Sequence, residues 1–137
     1  SQISGESSIQ KNQVEIKEIF EQESVEDILK KTNLLSENGS DFAKNIEHEL
    51  MGKSPTSLKI TFKQIHMATE MSLRDALIME YRMVQRCQAS GDFYEGVRAM
   101  LVDKDRNPQW KPSNLDKVDE IWVNHFFEPL HEKDLKI

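Results

Sequence analysis

From Gln13 to Phe126, apolar side chains return at every third or fourth position, and nowhere do they alternate strictly over the length of a strand. Only a helix gathers residues at that spacing onto one side, so the predicted fold class is all-α, with about seven helices and no sheet. Serines mark most of the starts. Ser24 with Asp27 forms a capping box for a helix burying Val25, Ile28 and Leu29, which Asn38-Gly39 stops. Ahead of it, a first helix is expected over 13–22, with Ile16, Ile19 and Phe20 on one side. Ser40 or Asp41 caps a third helix carrying Phe42, Ile46 and Leu50, with a stop at Gly52. Ser54-Pro55 opens a fourth, because serine caps while proline at the first helical position loses no useful hydrogen bond; Leu58, Phe62 and Ile65 follow. Ser72 opens the longest run, 73–89, striped with Leu73, Ala76, Leu77, Tyr81, Val84 and Cys87 and ended by Gly91. Asp92 with Glu95 is expected to cap a sixth, with Phe93, Val97 and Met100 on one face, and Ser113 to start a last one with Val118, Ile121, Trp122 and Phe126.

The chain is expected to be organised as a polar, flexible lead over 1–11, helices over 12–52, and a carboxy-terminal helical region over 53–137. From its polar opening without an initiator methionine, an excised or processed segment is expected. The 24 acidic and 18 basic residues give a net charge of -6, which repels nucleic acid and anionic lipid at long range, so neither is an expected partner. No apolar run has the length of a membrane span, and the single Cys87 has no internal disulfide partner.

Most chemistry-bearing residue types have an ordinary reading. Asp103, Asp105 and Asn107 match the first three ligands of a calcium loop, but Pro108 stands where that loop needs glycine and Asn114 where it needs glutamate, so a solvated turn is expected. The four histidines are scattered, with none at i, i+4 from another and no cysteine placed to complete a zinc site; no metal is expected. Cys87 sits on an apolar stripe as a packed thiol, and His125 on the apolar side of the last helix. Lys59 and Lys63, with Lys53 before them, form a local basic strip, solvated or facing a phosphate.

Two positions resist such readings. Glu80 projects from the middle of the 73–89 stripe, and a buried carboxylate needs a cation; the candidate is Arg98 on the following helix. Gly96 lies inside a helix, where glycine costs roughly 1 kcal/mol relative to alanine, so a close neighbour is expected to occupy the space of the missing side chain. Its replacement by alanine is then expected to wedge the helix off that neighbour.

Three segments, SPTSLKITFKQI (54–65), LIMEYRMVQRC (77–87) and DFYEGVRAMLVDKDRNPQWKP (92–112), together resemble the enoyl-CoA hydratase, or crotonase, superfamily. The extended DKDRNPQWKP points to its thioester-hydrolase branch, the 3-hydroxyisobutyryl-CoA hydrolases. The likeness continues more loosely over 12–52 and into the DLKI tail. It implies the carboxy-terminal helical part of an α+β enzyme that hydrolyses an acyl-CoA thioester during valine breakdown in the mitochondrial matrix. Coenzyme A is then part of the substrate, and no separate cofactor is implied.

In that family, peptide N–H groups that polarise the thioester carbonyl and carboxylates that act on water lie in a strand-rich core preceding this region. No catalytic residue is therefore carried over, and Glu80 and Glu95 are not substitutes. By the same resemblance, Met100 stands at a usually aromatic position near the pocket and Lys104 near the CoA nucleotide. The implied partners are the amino-terminal core of the same chain, an acyl-CoA substrate, and further copies in a homo-oligomer. Two alternatives stand beside this reading: a non-catalytic helical module that binds a protein partner, and the equivalent region of a hydratase or isomerase.

Overall fold

The computed structural model describes residues 2–137, which contain seven α-helices and no strand, and which divide into two compact units at Lys53/Ser54. The first unit holds α1 (Gln2–Phe20), α2 (Val25–Glu37) and α3 (Asp41–Met51). Helix α1 starts at Gln2 and not at Gln13, because the segment before Gln13 contains no proline and a single glycine, and a helix nucleated downstream propagates through such a polar stretch. Ser1 lies outside the described residues. Ser24 caps α2 by accepting from the Asp27 amide at 3.1 Å, as the capping box predicts. The chain leaves α2 through Gly39, whose φ of +96° suits a residue without Cβ.

Helices α2 and α3 pack along each other, with α1 against α2, around Ile19, Val25, Ile28 and Ala43. Polar groups inside this unit are paired. The buried Thr32 hydroxyl donates to the Ile28 carbonyl at 2.6 Å, and Ser40, which caps α3, also donates to the buried Glu15 carboxylate at 2.6 Å.

The second unit comprises α4 (Pro55–Ala68), α5 (Leu73–Ala89), α6 (Gly91–Val97) and α7 (Glu120–His125). A π-helical turn (Arg98–Val102) extends α6, and short 3-10 turns lie at Leu115–Lys117 and His131–Lys133. Its core joins Ile60 of α4, Met79 and Met83 of α5, Val118, and Val123 and Phe126 of the last helical segment. Met67, Met71, Cys87 and Phe127 pack around them. Burial pushes the Cys87 thiol pKa up.

The starts of α4 and α5 match their serine signals: Ser54 accepts from the Ser57 amide and Ser72 from the Asp75 amide. Their buried faces do not match the predicted ones. On α5, Leu73, Leu77 and Val84 are 77%, 42% and 49% exposed, while Met79 and Met83 are buried; on α4, Ile65 is exposed and Ile60 buried. Both helices are apolar on two sides, and spacing alone does not rank one side above the other. Glu80, which shares the outer side, is exposed and accepts from Gln64 Nε2 at 3.2 Å; it does not pair with Arg98.

The last helix is shorter than expected. Asp119 accepts from the Trp122 amide at 2.7 Å and caps α7, so Ser113 starts no α-helix and the chain before Asp119 forms only a 3-10 turn. The lysines of the basic strip are structural. Lys59 Nζ donates to the Val118 carbonyl at 2.9 Å, Lys63 Nζ donates to Asn124 Oδ1 and lies over the Phe127 ring, and Lys53 pairs with Glu49. His125 is exposed, stacked on Trp122 and 3.6 Å from Glu128. On α5, Arg82 grips Asp134 with two bonds of 2.8 and 2.7 Å, and Arg86 donates to the Glu128 and Pro129 carbonyls, so the tail is tied back by arginine forks.

Phe126 is 1% exposed at the centre of the second unit's core. Phe126→Ala is expected to lower stability by about 3–5 kcal/mol in urea unfolding followed by circular dichroism. A loss below about 1 kcal/mol would remove Phe126 from the centre of that core.

Candidate functional site

The segment richest in motif residues, 92–111, forms one connected structure. It begins with a geometric match. Side chains three apart on a helix lie about 5–6 Å apart at Cβ, and alternate amides on an extended chain lie about 6.6 Å apart, so two helical carboxylates can receive two alternate N–H groups. Asp92 and Glu95 are such a pair: Asp92 Oδ1 accepts from the Lys111 amide at 2.9 Å and Glu95 Oε1 from the Gln109 amide at 2.8 Å. The other oxygen of Asp92 accepts from the hydroxyl of Ser54 at 2.7 Å, which joins the start of α4 to the start of α6. Neither carboxylate caps α6, whose N-cap Ser90 makes no side-chain capping bond. The D-x-x-E spacing predicted a capping pair; its real partners lie fourteen and nineteen residues further on.

Between Asp92 and Lys111, the returning strap lays Trp110 over Gly96. An added Cβ at 96 would stand 3.4 Å from the Trp110 ring, which is ordinary van der Waals contact. The close neighbour expected from the helical glycine is present, but the expected wedge is not, because alanine fits beneath the ring edge.

Arg98 organises the rest. The π-helical turn closes with the Asp103 amide donating to the Arg98 carbonyl at 2.8 Å, and such wide turns recur where a helix must re-aim side chains. The Arg98 guanidinium grips Glu95 as a fork, Nη2 to Oε1 at 2.6 Å and Nε to Oε2 at 2.9 Å. Its Nη1 reaches Asp103 Oδ2 at 2.9 Å and Asp105 Oδ2 at 2.6 Å. The two acidic residues that imitate calcium ligands are thus occupied by an internal cation. Backbone bonds complete the loop: the Arg106 amide donates to the Ala99 carbonyl at 3.0 Å and the Asn107 amide to Asp105 Oδ1 at 2.9 Å.

This arrangement explains why Arg98 is unavailable to Glu80. A carboxylate at i−3 on its own helix and two more within seven residues are nearer in chain order, so their encounter costs less entropy. Glu95 is the residue whose role sequence reasoning missed. The signal for it was the joint presence of D-x-x-E-G on the helix and an extended P-x-W segment after the charged turn.

The arginine fork, aided by the Gln109 amide, holds the Glu95 carboxyl down to about 2, and Arg98 and the Asn107 amide lower that of Asp105. The Arg98 pKa is raised by the same contacts. Met100 and Lys104 are both exposed: Met100 on the π-helical turn beside exposed Leu101 and Val102, Lys104 in the loop with a φ of +57°. The site thus offers an outward apolar turn and a cation-bearing loop tethered by Arg98. It contains no paired general acid and base, since its carboxylates are occupied by Arg98 and by backbone amides.

Two outcomes are expected. Gly96→Ala leaves stability unchanged or raises it by up to about 1 kcal/mol, whereas Gly96→Leu displaces Trp110 and lowers it, both read from urea unfolding. A loss with alanine as large as with leucine would show that the ring leaves no room. The folded pKa of Glu95 is depressed, so its stabilising contribution is present above its unfolded value near 4.5 and is lost as pH falls towards 2. Unfolding curves of wild type and Glu95→Gln should therefore converge over that interval, and a separation that persists at pH 2 would contradict the assignment.

A family model described as Enoyl-CoA hydratase/isomerase matches residues 1–127. Among curated proteins, the chain is 48% identical over 122 residues to the mitochondrial 3-hydroxyisobutyryl-CoA hydrolase of Danio rerio and 45% identical over 122 residues to that of Gallus gallus, in each case covering 89% of this chain and 31% of the relative. The human enzyme of that name is 42% identical over 121 residues. The chain therefore spans about a third of the length of these relatives. Among solved structures, a carnitinyl-CoA dehydratase from Mycobacterium thermoresistibile superposes with a TM-score of 0.80 at 30% identity, covering 90% of this chain and 34% of the other. An enoyl-CoA hydratase from Rhodobacter sphaeroides superposes with 0.81 at 28% identity, covering 91% and 36%. With the family model spanning nearly the whole chain and the helices superposing on two solved acyl-CoA enzymes, this protein belongs to the enoyl-CoA hydratase/isomerase family.

Proposed function

We propose that the chain is the carboxy-terminal helical part of an acyl-CoA thioester hydrolase, which converts 3-hydroxyisobutyryl-CoA and water to 3-hydroxyisobutyrate and free CoA in mitochondrial valine breakdown. The observation that carries this reading is identity of 42–48% with hydrolases of that name, over nearly the whole of this chain. Water adds its hydroxyl to the acyl carbon, the C–S bond breaks, and the proton goes to the CoA thiolate. The polarising and proton-moving groups belong to the rest of the enzyme, and the helices support the cleft. Three features fit this division. The carboxylates of the 92–111 segment are occupied. Helix α5 carries an outward stripe of Leu73, Leu77 and Val84, suited to packing on a further part of the enzyme. Met100 and Lys104 face solvent from a braced turn, where the first can line an acyl-CoA cleft and the second meet a nucleotide phosphate.

The amino-terminal portion found in the relatives is accordingly the principal partner, with an acyl-CoA as substrate and self-association through the apolar faces as a further property. By itself the 137-residue chain is expected to be inactive. The test measures free-thiol release from 3-hydroxyisobutyryl-CoA by this chain alone and by the same chain preceded by the portion its relatives carry. Hydrolysis by the longer protein only is expected. Turnover by the short chain would overturn the division of labour, and hydration of an enoyl-CoA without hydrolysis by the longer one would replace the hydrolase with a hydratase. Retention of a protein partner by the short chain, with no hydrolysis in either form, would favour an interaction module.

A further inference from the structure

Residues 103–107 form the tip of the strap, and none of them belongs to the core of the second unit: all are exposed, and their attachment is polar. Two of them, Lys104 and Arg106, have φ of +57° and +55°, a region that side chains with a Cβ avoid and hold only when neighbouring contacts impose it. The imposing contacts are a backbone bond, in which the Arg106 amide donates to the Ala99 carbonyl at 3.0 Å, and the side-chain contacts of Arg98. Asp103 and Asp105, one before and one after Lys104, converge on a single nitrogen of Arg98, and the Asn107 carbonyl approaches its second nitrogen at 3.4 Å. The same guanidinium is anchored from the helix side by the two-bond fork to Glu95. One cation thus balances three carboxylates, and the side chains that close the tip are 33% to 56% exposed at Arg98, Asp103 and Asp105. Ion pairs this accessible weaken as salt screens them, over a Debye length that falls from about 10 Å at 0.1 M to about 3 Å at 1 M.

We infer that the 103–107 tip is a salt-sensitive latch, closed by the one guanidinium of Arg98 against left-handed backbone at Lys104 and Arg106, and that it opens while the helices and the 109–111 part of the strap stay in place. Separate tethers make that independence possible. Gln109 and Lys111 are held by Glu95 and Asp92, and Trp110 by Gly96, none of which needs the two aspartates. Arg98 is then a positioning residue for the loop that carries Lys104. The latch is a property of this loop whatever acyl group the parent enzyme accepts.

The loop supplies its own reporter, because trypsin cuts after Lys104 and Arg106 and needs an extended substrate. Cleavage rates at these bonds, normalised to a peptide of residues 98–111 under the same salt, read the population of the open tip. Arg98→Met is expected to speed cleavage by about tenfold or more, with unchanged helical circular dichroism. Arg98→Lys should fall between, since an ammonium cannot fork Glu95 while bridging both aspartates. In wild type, cleavage should rise several-fold between about 0.05 M and about 1 M salt, and in Arg98→Met it should not. If Arg98→Met fails to fold, the double variant Asp103→Asn with Asp105→Asn unloads the tip and leaves the Glu95 fork, and it should open the tip to the same degree. Normalised cleavage that is insensitive to salt in wild type, or unchanged in a folded variant of either kind, would overturn the latch.

Discussion

The charged loop and the Gln109 end of the strap depend on the fork between Arg98 and Glu95, because Glu95 faces two ways. One side of its carboxylate meets the guanidinium, and Oε1 also takes the Gln109 amide, so a pair on the helix becomes the support for an extended strap. Remove the arginine and the carboxylate regains its freedom to rotate. Remove the carboxylate and the guanidinium keeps the two aspartates and the Asn107 carbonyl of an exposed loop. Surface ion pairs taken singly contribute little, but a planar fork that shares its acceptor with a backbone amide restricts geometry more than it adds energy.

The same economy recurs at the serine caps. Ser40 and Ser54 each satisfy an amide of their own helix and donate their hydroxyl proton to a distant carboxylate, Glu15 for one and Asp92 for the other. Because a hydroxyl can accept and donate at once, a local cap becomes a tertiary link without an additional side chain. In the second unit this places the first turn of α4 against the first turn of α6, and through Asp92 against Lys111 of the strap. The two acidic residues and the glycine of the D-F-Y-E-G motif therefore have a shared purpose: two acceptors for a returning chain, and a gap for its tryptophan.

What was legible in the sequence was what is local. Ser24, Ser54 and Ser72 announce their helices because a cap bond reaches only three residues, and Pro55 and Gly39 have backbone preferences that no partner needs to supply. Whatever depends on a distant partner was not. The outer faces of α4 and α5 match helical spacing as well as the buried ones do, so Leu73 and Leu77 were read as core while Met79 and Met83 form it. Glu80 followed that error to a cation it does not meet. Asp92 and Glu95 have the spacing of a cap and the work of a clamp, a difference set by Gln109 and Lys111. Family resemblance reached further than periodicity because it compares whole motifs, such as those of the 92–112 segment.

The central claim is that Asp92 and Glu95 hold the strap through two backbone amides. Amide hydrogen exchange in the native chain, resolved by nuclear magnetic resonance, tests it directly. The amides of Gln109 and Lys111 should exchange at least about tenfold more slowly than the same residues in an unstructured peptide, with each losing that protection only in the variant that removes its own acceptor, Glu95→Ala or Asp92→Ala. Exchange of both amides at peptide rates in the folded wild type would contradict it.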